Sequence, residues 1–240
     1  MTLHIDGDGD ILLLCDHASA AVPAGIDLGI AREFLARHIA VDIGAADLTI
    51  ALAGVLGASA ILGTVSRLVI DLHREPDHPS LIPGSSDGHP IPGNETADRF
   101  ARIAAFHAPY HRAVHRQVSA IRPKLLVAIH SFTRRLASGG DIRPMDAGIL
   151  YNRDDRAARV LIAALRAYGI ETGDNAPYSG RLLNATLNRH GEARGIACVS
   201  IEICNDRIAE PAGVARWCSI LAPMIADARN TLALDATPTQ

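Results

Sequence analysis

Four apolar runs of the chain end in residues able to do chemistry. In order they read LLLCDH, LVIDLHR, LLVAIHS and CVSIEIC, which sets His17, Asp71 through Arg74, His130 and Glu202 at or near strand ends. In open α/β sheets ligands bind at the carboxyl ends of strands, so side chains distant in sequence converge there. Two imidazoles, His17 and His130, offer ring nitrogens to a divalent cation. Zinc is the natural candidate, since catalytic zinc takes three protein ligands and keeps a fourth position open. Glu202 is flanked by apolar strand residues, and a carboxylate buried in such a place needs a partner. It reads as the base that takes a proton from water attacking a carbonyl, while Arg74 offers a two-pronged contact to a substrate carboxylate. The plainer alternative is that each histidine is a hydrogen-bonded structural residue, and convergence presupposes parallel strands in one sheet.

The elements that must position these groups follow from the hydrophobic pattern. Strand-length apolar runs lie at 11–15, 59–63, 67–72, 125–129, 147–151 and 197–203, and helical spacing is read over 29–56, 94–120, 153–169 and 210–233. This alternation predicts an α/β fold. Asn94 is the expected cap of the second helix, with Glu95 and Asp98 in its first turn. The stretch 76–93, rich in proline and glycine, predicts a long loop, either a linker or a lid over a cleft. Residues 1–234 are expected to form a single domain, and the end of the chain, 235–240, to fray.

Composition narrows the class. In 240 residues, 48% are hydrophobic and only 4% aromatic, so the core must be built from Ala, Leu, Ile and Val. A net charge of −3 without a basic stripe argues against nucleic acid. No window reaches the roughly 18–20 apolar residues of a membrane span. Cys15, Cys198, Cys204 and Cys218 show no CxxC spacing, and the first ten residues show no leader pattern. A cytoplasmic protein with reduced thiols is the expectation.

The segments CDHASAAVP, HIAVDIGA, VSRLVIDLHR, IPGN, PYH, IHSFT, RPMDAGILYNRDDR, GDNAPYSG and VSIEICND occur in an order and approximate spacing that resembles the N-formylglutamate amidohydrolase family. That family is similar in fold to zinc carboxypeptidases and aspartoacylase. The resemblance implies one α/β domain with a mixed, mainly parallel sheet of about eight strands between helices. It also implies that His17 and His130 are metal ligands, that Glu202 activates water, and that Asp71, His73 and Arg74 contribute to substrate binding. DLHR is similar to the Asp-Leu-Asn-Arg motif of aspartoacylase, with His73 in place of the asparagine, which leaves the acyl and amino-acid preference open. The His-x-x-Glu ligand spacing of the carboxypeptidase-like enzymes meets Ala20 here, so a third ligand must come from elsewhere. Asp42 is chosen, as an acid embedded in a mostly apolar helix face and so costly to bury, and Asp16 is next.

Further residues complete the expectation. His107, His111 and His115 share a helix face at i, i+4 and i+8, read as a solvated face or a cleft wall rather than a metal site, and Pro109 should bend that helix. Asn175 and Tyr178 offer an amide and a phenol from a turn, Arg143 is a second candidate carboxylate anchor, and Cys15 reads as a small buried hydrophobe. The expected activity is metal-dependent hydrolysis of a small acidic N-acyl amino acid, N-formyl-L-glutamate first, a step that the family name ties to histidine catabolism. The alternatives are a deacylase or peptidase with another N-acyl substrate, and a binding protein without activity. Oligomeric state is not legible.

Overall fold

The strands are β1 Thr2–Ile5, β2 Ile11–Cys15, β3 Ser59–Gly63, β4 Ser85–Ser86, β5 His89–Pro90, β6 Leu125–Phe132, β7 Ala147–Leu150, β8 Thr172–Asp174 and β9 Ala197–Cys204. The helices are α1 Ala45–Leu56, α2 Arg99–Arg102, α3 Ala108–Ile121, α4 Arg156–Ala167, α5 Ala185–His190 and α6 Pro211–Asp235. These come from a computed structural model that describes residues 2–235. Beyond Asp235, the tail expected to fray lies outside the described residues.

One seven-stranded sheet runs β1-β3-β2-β6-β9-β7-β8, and β4 with β5 forms a separate small ribbon. The seven strands of this sheet among the described residues agree with the expected mixed, mainly parallel sheet of about eight. β3, β2, β6 and β9 are mutually parallel, β1 is antiparallel at one edge, and β7 and β8 run opposite to β9. β2, β6 and β9 are buried at every residue, as strands covered on both faces must be, which is why they read as unbroken apolar runs. Side chains alternate between two cores. Leu125, Val127 and Ile129 face α1, α4 and α6 together with Leu13 and Ile201, while Leu126 and Ala128 face α3 together with Leu12 and Leu14. His130 and Glu202 continue the second row, so both emerge from the α3 face at the carboxyl end of the sheet.

Three expectations about elements are corrected. Residues 67–72 are not a strand but a run of turns. Leu68, Val69, Ile70 and Leu72 are fully buried, so the hydrophobic signal was real, but Val69, Ile70 and Asp71 donate to Ser66 O or Leu81 O and three carbonyls are taken by side chains rather than by a neighbouring strand. Asn94 Nδ2 donates to Leu68 O at 2.8 Å, Arg102 Nη1 to Val69 O at 2.7 Å, and His111 Nε2 to Leu72 O at 3.0 Å. The helix expected at 29–56 is a short 3-10 turn, Arg32–Ala36, followed by α1. Between them Gly44, at φ +77°, turns the chain from Asp42 into α1. The helix expected at 94–120 begins at Arg99, with Asp98 Oδ1 accepting from Ala101 N at 3.0 Å as its cap. Asn94 is instead buried as a strut between loops. A π-type turn, Ile103–His107, joins α2 to α3 just before Pro109.

Candidate metal centre and its cavity

Beyond the ends of β2, β6 and β9 lies a cavity of about 260 Å³, into which His17, Asp42, His130 and Glu202 all project. Asp42 Oδ2 lies 2.9 Å from His130 Nδ1 and 3.3 Å from His17 Nδ1. All three side chains are buried, and the two imidazole centroids are 5.1 Å apart. Asp42 reaches this point because its backbone N–H donates to His17 O at 3.1 Å, which fastens the start of the α1 turn to the end of β2.

The remaining ring nitrogens also meet carboxylates. His17 Nε2 is 2.7 Å from Asp71 Oδ1, and His130 Nε2 is 3.4 Å from Asp16 Oδ2. A neutral imidazole has a single N–H, whereas a carboxylate only accepts. Each ring therefore faces acceptors on both sides, and the second nitrogen of each needs either a further proton or a cation. The Nδ1 atoms of both rings point to one oxygen, Asp42 Oδ2, and two nitrogens and one oxygen form a donor set suited to zinc. His17, Asp42 and His130 have one atom each within 4.8 Å of the others, as do Asp16, His73 and His130.

Charge leads to the same conclusion. The buried acids Asp16, Asp42, Asp71 and Glu202 stand against the guanidiniums of Arg67 and Arg74. Arg67 forks between two of them, with Nη1 donating to Asp42 Oδ1 and Nη2 to Asp71 Oδ2, both at 3.1 Å. Burial alone would push these acids up, but His17 and Arg67 hold the Asp71 carboxyl well below the usual range. Burial pulls His130 down, and Asp16, Asp42 and Glu202 overcome this and raise it well above an ordinary histidine. Such a positive demand at the rings is what a divalent cation would meet.

Glu202 differs from the other acids. Its Oε2 is buried without a hydrogen-bond partner, and burial pushes the carboxyl up to about 7, with His130 pulling down and Asp42 pushing up. It stands ready to exchange a proton near neutrality.

The substrate-binding candidates separate. Arg74 lines the cavity; Nη1 donates to His73 O at 3.2 Å, Nε is buried without a hydrogen-bond partner, and Asp71 Oδ2 is 4.0 Å away. His73 also lines the cavity, but Nδ1 is held by Asp16 Oδ2 at 2.9 Å and Thr186 Oγ1 at 3.2 Å. Tyr178 forms part of the wall, and its hydroxyl accepts from Arg143 Nη1 at 3.1 Å. Arg143 lies behind it, outside the cavity lining, with Nη1 also donating to Thr133 O at 2.9 Å. Asn175 is not a lining residue; at φ +50°, its Oδ1 accepts from Tyr151 N and Gly180 N and shapes the turn. Asp71 binds His17 and Arg67 rather than facing the cavity.

The loop 76–93 contributes Ser86 and Asp87 to the cavity wall. Asp87 accepts from Ala137 N, Ser138 N and Ser138 Oγ, and pairs with His38 Nε2 at 2.9 Å, so two loops are clasped at this wall. His107, at the end of the π-type turn, and His111 and His115 of α3 do not form a solvated face. His107 and His111 are buried, and only His115 is exposed. His107 Nε2 donates to Arg74 O at 2.9 Å, and His111 Nε2 to Leu72 O, so α3 holds the backbone on either side of His73. Cys15 is fully buried, with burial raising its thiol, as expected of a small hydrophobe. Sequence reasoning assigned no role to Arg67 or Thr186. Arg67 stands four residues before Asp71, a spacing that pairs side chains on a helix but carries no such signal in a segment read as a strand.

The family model for N-formylglutamate amidohydrolase matches residues 9–209. Among solved structures, the gene product Atu2144 from Agrobacterium tumefaciens is similar over 97% of this chain and 96% of its own, with 32% identity and a TM-score of 0.91. The N-formylglutamate amidohydrolase from Ralstonia eutropha JMP134 is similar in fold, with a TM-score of 0.71 and 18% identity over 98% of this chain and 99% of its own. No curated protein matches the sequence significantly.

Proposed function

The chain belongs to the N-formylglutamate amidohydrolase family, and from that premise we propose that it hydrolyses the amide of a small acidic N-acyl amino acid, N-formyl-L-glutamate first, to formate and L-glutamate. The observation that carries this reading is the meeting of His17 Nδ1, Asp42 Oδ2 and His130 Nδ1 in one cavity with the unpartnered Oε2 of Glu202.

His17, Asp42 and His130 would hold the metal ion, zinc by the chemistry of its donors. When bound, it supplies Lewis acidity, which makes water nucleophilic near neutral pH and polarises an acyl carbonyl. The chain supplies the proton transfers. Glu202 takes a proton on Oε2 as the water oxygen bonds to the acyl carbon, then gives it to the amide nitrogen as the C–N bond breaks, releasing the amine. The raised Glu202 carboxyl suits both halves of that cycle. The Arg74 guanidinium binds a carboxylate of the substrate and orients the amide.

A second reading, a deacylase for a different N-acyl amino acid, has a specific basis. Arg74 is the cavity guanidinium with an unpartnered buried nitrogen, Arg67 is committed to two aspartates, and Arg143 is behind Tyr178. One such anchor accounts for one carboxylate, whereas glutamate carries two. A panel of N-formyl, N-acetyl and dipeptide substrates, assayed with the zinc-loaded and the chelated protein, separates the readings. Zinc-dependent release of formate with a preference for the glutamate derivative supports the first. Preference for a monocarboxylate supports the second, and turnover of nothing in the panel supports a binding protein. The same reading places the protein in the cytoplasm, in keeping with four free, buried cysteines. No helix among the described residues is long and apolar enough to cross a membrane.

A further inference from the structure

We propose that Asp16 and Asp71 are positioning carboxylates that hold the two imidazoles of the metal centre in one tautomer, each receiving the Nε2–H of one ring; this rests on the metal reading above. His17 Nε2 is 2.7 Å from Asp71 Oδ1. On the other ring, His130 Nε2 is a buried nitrogen without a hydrogen bond, and Asp16 Oδ2 lies 3.4 Å away. With the proton on Nε2, each ring turns its Nδ1 lone pair toward Asp42 Oδ2, so one cation shared with that oxygen would satisfy both histidines.

The two acids are themselves held from behind. Asp71 Oδ2 accepts from Arg67 Nη2, and Asp71 Oδ1 also accepts from the backbone N–H of His73 at 2.9 Å. Asp16 Oδ1 accepts from Thr186 Oγ1 at 2.9 Å, and Asp16 Oδ2 meets His73 Nδ1. Asp16 is fully buried and absent from the cavity wall, whereas His17, Asp42 and His130 all line it. Asp16, His73 and His130 also form a second trio of metal-binding type. A cation there would take the Nε2 of His130, lie behind the cavity wall and displace the hydrogen-bonded role of Asp16, so the geometry favours Asp16 as a support. His73 then acts through Asp16 instead of touching substrate, which gives a physical reason for a ring at this point of DLHR.

The test has two arms. In the zinc-loaded parent protein, ¹⁵N NMR of the histidine side chains is expected to show His17 and His130 coordinated through Nδ1 and protonated at Nε2. Coordination of either through Nε2, or a parent protein that takes up no zinc, overturns this proposal together with the metal reading, whereas the second arm can fail with the metal reading intact. In the second arm, zinc affinity is measured by chelator competition for Asp16→Asn and Asp71→Asn, each of which keeps its side-chain shape and loses its charge. Each is expected to weaken zinc binding about 10–100-fold, with partial recovery in Asp16→Glu and Asp71→Glu. Affinity within twofold of the parent in both asparagine variants overturns the proposal, as does a parent that binds two zinc ions of which Asp16→Asn loses one. Should one asparagine variant fail to fold, the other and the NMR of the parent decide.

Discussion

His130 and Glu202 are register partners on adjacent parallel strands, β6 and β9. Neighbouring strands lie about 4.8 Å apart, so the ladder itself sets the distance between a candidate ligand and the candidate base. No loop has to fold correctly for these two groups to meet, and both sit on the sheet row that continues from Leu126 and Ala128. Glu202→Gln keeps that placement and removes the proton acceptor. It is expected to lower kcat about 10²–10⁴-fold while zinc affinity stays near that of the parent. Steady-state kinetics on the preferred substrate, with metal analysis of the same sample, checks this.

Arg74 carries an unpartnered buried Nε and lines the cavity. Arg74→Lys keeps a positive charge but loses the planar fork, so substrate recognition should suffer more than chemistry. The expected outcome is a rise in KM of about tenfold or more with a smaller change in kcat. An unchanged KM would assign the anchor to another group.

How far the site was legible in the sequence depended on what each residue relied on. His17 follows β2 by two residues, and His130 and Glu202 lie near the carboxyl ends of β6 and β9, strands buried on both faces whose apolar runs make a polar residue conspicuous. Asp42 was singled out by the cost of burying an acid on an apolar helix face, whereas it stands in the turn before α1 rather than on a helix. Arg67 was missed because its partners, Asp42 and Asp71, come together through the path of two loops that periodicity does not describe. The run 67–72 was read as a strand because burial alone produces the same signal; what decides the matter is that Asn94, Arg102 and His111 take its carbonyls, and all three come from other elements. The α3 histidines show the same limit: their shared face was visible, but the carbonyls awaiting it were not.

Those histidines give the fold a dependence on pH. His111 Nδ1 lies 2.9 Å from His190 Nε2, and because His111 Nε2 donates to Leu72 O, a neutral His111 accepts at Nδ1 and His190 Nε2 donates. Burial lowers His111 to about 2, helped by His107, and lowers His190 to about 4, helped by Arg189. Both folded values lie below the ordinary 6.5, so the unfolded chain binds more protons between them. Their contribution to stability is complete above about pH 6.5 and is lost as the pH falls toward about 4 for His190 and about 2 for His111, at up to about 1.4 kcal/mol per pH unit for each proton. Denaturant unfolding at pH 7.5, 6 and 5 should show falling stability, with a shallower slope in His190→Gln. An equal slope in that variant would place the acid sensitivity elsewhere.

Gly44 links stability to the site. It holds φ +77°, and a Cβ there would run into the Ile208 carbonyl oxygen. Gly44→Ala is expected to destabilise the protein by more than 1 kcal/mol, about the cost of a strained left-handed residue, and to weaken zinc binding because Asp42 is two residues away. Thermal unfolding and chelator competition on one preparation would reveal both effects. A large loss of stability with unchanged zinc affinity would mean that Asp42 is held from the β2 side alone.

The central claim is that His17, Asp42 and His130 bind one cation within reach of Glu202. Anomalous diffraction at the zinc edge from crystals of the zinc-loaded protein tests it most directly. The expected result is one strong peak about 2.0–2.2 Å from His17 Nδ1, Asp42 Oδ2 and His130 Nδ1. A map with no peak at these atoms, or one whose peak lies between Asp16, His73 and the Nε2 of His130, would contradict the account.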